Sequence, residues 1–272
     1  MSKSLKYTLT TSLAFAVCTQ LSAVVLISDN FDRADGQLRN TSPNVNNINS
    51  NTWAGSDNFL INSNAVNSAC IGSGHYEAID LGAGYIASNP AIYEITAQMT
   101  FNTSAFSTPS DFMSIGFTNS NNSSETANRT HISSNTTSLY GAPSIGLRGS
   151  GGALVNAEEA GILYDEGAYA ENVTHTVRLL LDTTQTNWVV SAYIDGGQLD
   201  LDSGSVSMSY TYGTNPTSIR YLSLSSNIDT TDATLFSLDN VQLQTVVPEP
   251  STYAMIFGAL VGLGVFLRRR RR

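Results

Sequence analysis

Side-chain alternation with a period of two governs the middle of this 272-residue chain. In IYEITAQMTF, residues 92 to 101, Tyr93, Ile95, Ala97, Met99 and Phe101 fall on one face, with Glu94, Thr96 and Gln98 on the other, as in a half-buried strand. FMSIGFT repeats the pattern with Met113, Ile115 and Phe117. HTVRLLLD aligns Val177, Leu179 and Leu181 opposite Thr176, Arg178 and Leu180. NWVVSAYIDGG aligns Trp188, Val190, Ala192 and Ile194 before Asp195 and Gly196, a dipeptide that suits the tight turn of a hairpin. IRYLSLS and LFSLDNVQL close the region. No stretch between 24 and 245 has a capped helical pattern of ~12 residues or more. The expected fold is all-β, about ten to twelve short strands in a two-sheet β-sandwich or jelly roll. NTSPNVNNINSN (40–51) and TNSNNSSETANRTHISSNTTS (118–138) read as long polar loops.

Charge is scarce and unevenly placed. Charged residues make up 13% of the chain and hydrophobic ones 41%, a composition suited to strands joined by polar turns. Val24 to Val247 holds 21 acidic residues against six arginines, a net of −15, and no lysine follows Lys6. A nucleic-acid partner requires a basic face, and the sequence excludes it. Cys18 lies in a segment expected to be removed, which leaves Cys70 alone and no intramolecular disulfide in the mature chain.

Both ends read as addresses. Lys3 and Lys6, an apolar stretch from Leu9 to Val17, and small residues leading to Ala23 make residues 1–23 a signal peptide for the general secretion machinery. The domain expected after it spans 24–245, followed by a tail at 246–272. Within the tail, Tyr253 to Leu267 is uncharged and would rise about 22 Å as a helix against about 30 Å of hydrocarbon, a short transmembrane helix. Arg268, Arg269, Arg270, Arg271 and Arg272 would then hold the terminus on the cytoplasmic side of the inner membrane. Pro248 and Pro250 remove backbone donors and push Glu249 out of the α region, so the triplet is extended and separate from the helix behind it.

The order Pro-Glu-Pro-Ser-Thr, short apolar helix, arginine cluster resembles the PEP-CTERM sorting signal of exopolysaccharide-producing Gram-negative bacteria, over residues 247 to 272. The resemblance implies an exosortase, an integral membrane transpeptidase-like enzyme, as partner. Pro248, Glu249 and Pro250 would be its recognition motif, and the protein would be membrane-anchored at first, then released or re-attached at the cell surface or in the extracellular matrix. A permanent single-span anchor is the alternative.

SDNFDRADGQL (28–38), HTVRLLLDTTQTNWVVSAYIDGG (175–197) and SLDNVQL (237–243) resemble the first strand, central hairpin and closing strand of concanavalin A-like, LamG-type jelly rolls; another β-sandwich or a β-helix is the alternative. In such jelly rolls the first and last strands lie side by side, which would bring Asp29 and Asn30 near Asp239 and Asn240. Carboxylate and amide oxygens are the ligands calcium takes, so a structural calcium site is one expectation there, and turn or bulge chemistry is the other. Strict alternation in LFSLDNVQL sends Asp239 inward with Leu235, Val241 and Leu243; a cation, a bulge or an arginine partner must resolve that burial.

For hydrolysis, a glycosidase needs two carboxylates facing one substrate. Glu77 and Asp80 are three apart and face opposite sides of a regular strand, while Glu158, Glu159, Asp165 and Glu166 sit in loop-like sequence. His75, His131 and His175 stand beside no nucleophile motif. Trp53, Tyr85, Tyr164, Tyr169, Tyr193, Tyr210 and Tyr212 are the candidates for stacking on sugar rings, whereas Trp188 sits on the core face of its strand. Seven N-x-S/T sequences occur, at Asn40, Asn102, Asn121, Asn122, Asn128, Asn135 and Asn172. The reading is an exported protein bound to or structurally associated with exopolysaccharide, and not an enzyme. A secreted carbohydrate-active hydrolase or lyase and a ligand-free structural matrix protein are the rival classes.

Overall fold

A strand that buries one face must find partners along both edges, and the computed structural model shows how this chain supplies them. It describes residues 23–55, 59–68, 72–102, 112–119, 142–148, 151–158, 161–164, 169–201, 208–228 and 236–246. Residues 1–22 of the expected signal peptide, the Pro248-Glu249-Pro250 triplet, the expected helix at 253–267 and the arginine cluster lie outside the described residues. Among the described residues no helix is long and apolar enough to cross a membrane.

The strands are β1 (Val24–Asp29), β2 (Gly36–Gln37), β3 (Val45–Asn46), β4 (Ala54–Gly55), β5 (Phe59–Asn62) and β6 (Ala65–Ser68). Then follow β7 (Gly72–Asp80), the one-turn helix α1 (Tyr85–Ser88), β8 (Ile92–Phe101), β9 (Phe112–Thr118), β10 (Ser144–Arg148), β11 (Ala153–Glu158) and β12 (Gly161–Tyr164). The chain continues through β13 (His175–Asp182), β14 (Val189–Ile194), β15 (Gly197–Gln198), β16 (Tyr210–Thr211), β17 (Tyr221–Ile228) and β18 (Phe236–Val246). One sheet runs β15-β14-β13-β8-β18-β6-β5-β2, with β1 also paired to β18 and β3, and β16 to β14. The other runs β12-β11-β10-β9-β17-β7-β4. All pairings are antiparallel, so neighbours can be joined by turns instead of crossover helices.

The two sheets face each other across one apolar core. Tyr93, Ile95, Ala97, Met99 and Phe101 of β8 line it from one side, with Val177, Leu179 and Leu181 of β13 and Trp188, Val190, Ala192 and Ile194 at β14. Met113, Ile115 and Phe117 of β9 and Leu222 and Leu224 of β17 face them, and the Tyr93 ring meets Phe117 edge-on. Asp195 (φ 51) and Gly196 (φ 80) turn the β14-β15 hairpin with two left-handed residues, as that dipeptide permits.

Two places depart from simple alternation. β9 is buried along both faces, not one. Its outer side belongs to rows of small residues, Ala78, Ser223, Gly116 and Ser144, then Ser225, Ser114 and Gly146, where neighbouring backbones approach closely. In β18, Phe236 and Leu238 face the core, but so do Val241 and Leu243. The register against β8 shifts between Asp239 and Gln242, and Asn240 adopts φ 51. This β-bulge turns Asp239 away from the core position that strict alternation assigned it and leaves it half-buried.

Candidate functional site

The bulge sits where β18 changes partners. Leu238 pairs with Val66 of β6, and from Val241 onward the same edge pairs with β1 through Asp29↔Val241, Ser28↔Gln242 and Val24↔Thr245. Asp239 and Asn240 fall between the two partner strands, and the Asn240 backbone N–H is taken by Asp239 Oδ1 at 2.6 Å. The first and last strands therefore lie side by side, and they bring Asp29, Asn30, Asp239 and Asn240 into one neighbourhood.

Asp29 is buried there with its carboxylate already engaged. Its Oδ2 accepts from Arg33 Nη2 at 2.6 Å and from the Trp53 indole N–H at 2.7 Å, and its Oδ1 accepts from the Phe31 N–H at 3.0 Å. Phe31 is held at φ 51 with its ring packed against Trp53. Asp29 thus anchors the loop after β1 to the core. Trp53, named above as a candidate sugar platform, is fully buried, and its polar edge serves this carboxylate.

Above Asp29 lies a recess of about 360 Å³ lined by Ser28, Asp29, Asn30, Asn44, Asn240, Val241 and Gln242. Calcium needs six to eight oxygens, with carboxylates free to bind. Both Asp29 oxygens are occupied, and Asp239 Oδ2 accepts from Asn240 Nδ2 at 3.0 Å. Among the described residues no group of three or more Asp, Glu, His or Cys is placed to hold a metal ion. The donor set does not fit a resident calcium ion. Burial raises the Asp239 carboxyl above the ordinary aspartate range; the Asn240 N–H opposes this, and the nearby Asp29 and Asp32 add to it.

The remaining candidates are distributed, not gathered. Trp188 and Tyr212 are buried in the core, and Tyr85, Tyr169, Tyr193 and Tyr210 are half-buried. Tyr193 lies beneath the Arg178 guanidinium, 4.9 Å from ring centroid to Cζ. Glu77 is buried on the face it shares with Ile79, Leu222 and Leu224, while Asp80 is on the opposite face in a two-bond pair with Arg220, at 2.9 and 2.6 Å. His175 is buried between the Asp195 carboxylate, 2.7 Å from Nδ1, and the Ala170 carbonyl, 2.9 Å from Nε2, which ties the segment before β13 to the β14-β15 turn. Of the N-x-S/T asparagines, Asn40 and Asn172 are exposed in left-handed conformations and Asn102 is half-buried. The side chains of Glu158, Tyr164 and His75, and residues Cys70, Asn121, Asn122, Asn128, His131, Asn135, Glu159, Asp165 and Glu166, lie outside what is described.

β18 ends at Val246, and residues 246–272 match the PEP-CTERM protein-sorting motif. The chain carries a PEP-CTERM sorting signal. The motif implies export and surface sorting, and it begins on the last residue of a strand flanked on both edges. No curated protein matches the chain. Among solved structures, the alginate lyase Aly36B is similar over 82% of this chain and 98% of its own, at 11% identity and a TM-score of 0.48. Peanut lectin covers 79% of this chain and 100% of its own, at 7% identity and TM-score 0.46. An endo-1,3-beta-glucanase from Streptomyces sioyaensis covers 84% and 98%, at 12% identity and TM-score 0.45.

Proposed function

We propose that this protein is a surface or matrix component, exported with its leader removed, delivered through exosortase recognition of Pro248, Glu249 and Pro250, and associated outside the cell with extracellular polysaccharide. The observation that carries delivery is the sorting signal at 246–272, whose first residue is the last of β18. The apolar run and Arg268 to Arg272 hold the substrate at the membrane until it is processed, and the β-sandwich is the working part. Intact mass and C-terminal peptide sequencing of the protein recovered from its own cells test this. The expected product lacks the arginine cluster, and retention of Arg272 in most molecules overturns processing.

Association with polysaccharide, not catalysis upon it, is the reading favoured by the placement of the carboxylates. Asp80 is bound to Arg220, and Glu77 shares the core face of its strand, so these two do not face one substrate. Sedimentation of the protein with the cells' own polysaccharide, against loss of substrate mass on a glycan panel, separates a binder from a hydrolase or lyase.

A further inference from the structure

The recess at the β18 bulge is lined by four side-chain amides, and each is held at one end. Asn44 Oδ1 accepts from the Asn30 backbone N–H at 2.8 Å, and Asn30 Oδ1 accepts from the Asp32 backbone N–H at 3.3 Å. A backbone N–H can only donate, so the oxygen of each amide is fixed toward it and the Nδ2 of each is left to solvent. On β18 the fixed ends are reversed. Asn240 Nδ2 donates to Asp239 Oδ2 and to Gln98 Oε1, both at 3.0 Å. Gln242 Nε2 donates to Gln244 Oε1 at 3.3 Å, and Gln244 Nε2 donates to Glu94 Oε1 at 2.6 Å. A carboxylate only accepts, so Glu94 fixes Gln244, which in turn fixes Gln242, and Asp239 fixes Asn240. Arg178 Nε donates to the other Glu94 oxygen, so the series of bonds crosses β13, β8 and β18 and ends at the recess.

In the lining, Asn30 and Asn44, from the β1 and β3 segments, each keep an unbonded N–H₂, and Asn240 and Gln242, from β18 beside them, each keep an unbonded amide oxygen, with the Ser28 hydroxyl also present. None of these four offered ends has a hydrogen bond within the chain among the described residues. Groups fixed before a ligand arrives lose little freedom on binding. A hydroxyl both donates and accepts, and a pair of neighbouring hydroxyls can bridge a donor and an acceptor; a carboxylate or phosphate satisfies only the donors and confronts the oxygens. The surroundings add to that preference. Asp32 and Asp239 are hydrogen-bonded to the lining residues Asn30 and Asn240, and the domain carries −15 between Val24 and Val247. A volume of about 360 Å³ is at the small end of the ~300–1,000 Å³ usual for ligand sites, room for a short saccharide segment and not a long chain.

We infer that the recess formed by Ser28, Asn30, Asn44, Asn240 and Gln242 is a binding site for a neutral, polyhydroxylated saccharide unit. This deepens the polysaccharide reading and rests on it. The test is calorimetric titration of the full chain in detergent micelles with neutral gluco- and manno-tetrasaccharides, and with an alginate tetrasaccharide as the anionic arm. A neutral tetrasaccharide is expected to bind, alginate to bind more weakly, and Asn44→Ala and Gln242→Ala each to weaken neutral binding about five- to tenfold. Thr186→Ala, on the turn after β13, is expected to leave it unchanged. Independently of any substitution, the side-chain amide NMR signals of Asn30 and Asn44 are expected to move on titration with the neutral sugar. Neutral binding that persists in both alanine variants with those signals unmoved overturns the site and leaves the polysaccharide reading standing. No binding of either neutral sugar overturns the site and counts against that reading. Tighter binding of alginate than of the neutral sugars overturns the charge argument and the site with it.

Discussion

Asp29 is the residue on which the start of the domain depends, because two donors from the loop after β1 and the indole N–H of Trp53, beyond β3, converge on one buried carboxylate. Replacing it with alanine leaves the Arg33 guanidinium and the Trp53 N–H without their acceptor. Loss of one partner of a buried ion pair costs about 3–5 kcal/mol, so Asp29→Ala is expected to lower unfolding stability by that order in urea titration. Chelator, by contrast, is expected to leave the melting temperature unmoved, since the same three donors occupy the oxygens a calcium ion would need. Three other aspartates should separate in a carboxyl NMR titration. Burial acts to raise Asp80, but its bonds from Arg220 and the Gly82 N–H outweigh that and hold it below the ordinary aspartate range. Asp195 behaves alike, with His175 and the Thr176 N–H overcoming burial. Depressed values in the folded state mean that both groups add stability above the ordinary aspartate pKa, which is lost as pH falls through their folded values. Asp239 is raised, so its sign is opposite: ionisation weakens the fold, and protonation relieves this as pH falls through its elevated value. A titration in which Asp239 lies below Asp80 contradicts this arrangement.

One glycine in a strand and one in a turn make a contrasting pair. A Cβ at Gly146 in β10 would lie 2.2 Å from the Met113 carbonyl oxygen, a backbone atom of the paired strand β9 that cannot turn aside. A Cβ at Gly196 meets nothing within 4 Å, and only its φ of 80 resists substitution. Gly196→Ala is expected to cost about 1–2 kcal/mol in thermal or urea unfolding, and Gly146→Ala to cost more than that or to prevent folding. The core faces of β8, β9, β13 and β14 were legible in sequence because a buried sheet face imposes a period of two on hydrophobic residues and nothing else in the chain does. The bulge in β18 was not, since one added residue resets the alternation and its cause is the change of partner from β6 to β1, far away in sequence. The same limit explains the buried outer face of β9, whose Ser and Gly residues carry no hydrophobic signal. It also explains Trp53, whose role depends on a carboxylate 24 residues earlier. The residues of the recess were within reach as an Asp and Asn pair on two strands, but the direction in which each amide is fixed depends on Asn44, Gln98 and Gln244, which only the folded sheet brings to them.

Seen whole, the domain closes on its last strand. β18 touches β8 along one edge and β6 and β1 along the other, so none of these three can complete its pairing until residues 236–246 are present. A chain ended after residue 235 is expected to show no cooperative melt, whereas one ended after Val246 is expected to melt as the full chain does, measured by circular dichroism. Cooperative unfolding of the shorter chain would show that β18 is dispensable. Val24 is paired with Thr245, so the start of β1 and the root of the sorting tail lie at one corner of the sandwich. That corner decides how the molecule bears a pull. A protein tethered by its tail and gripped at the recess is pulled through β18 and through β1 beside it, along the strand axis. The rungs between β18 and β1 then share the load in shear and do not peel one after another, and the second sheet stays out of the line of force.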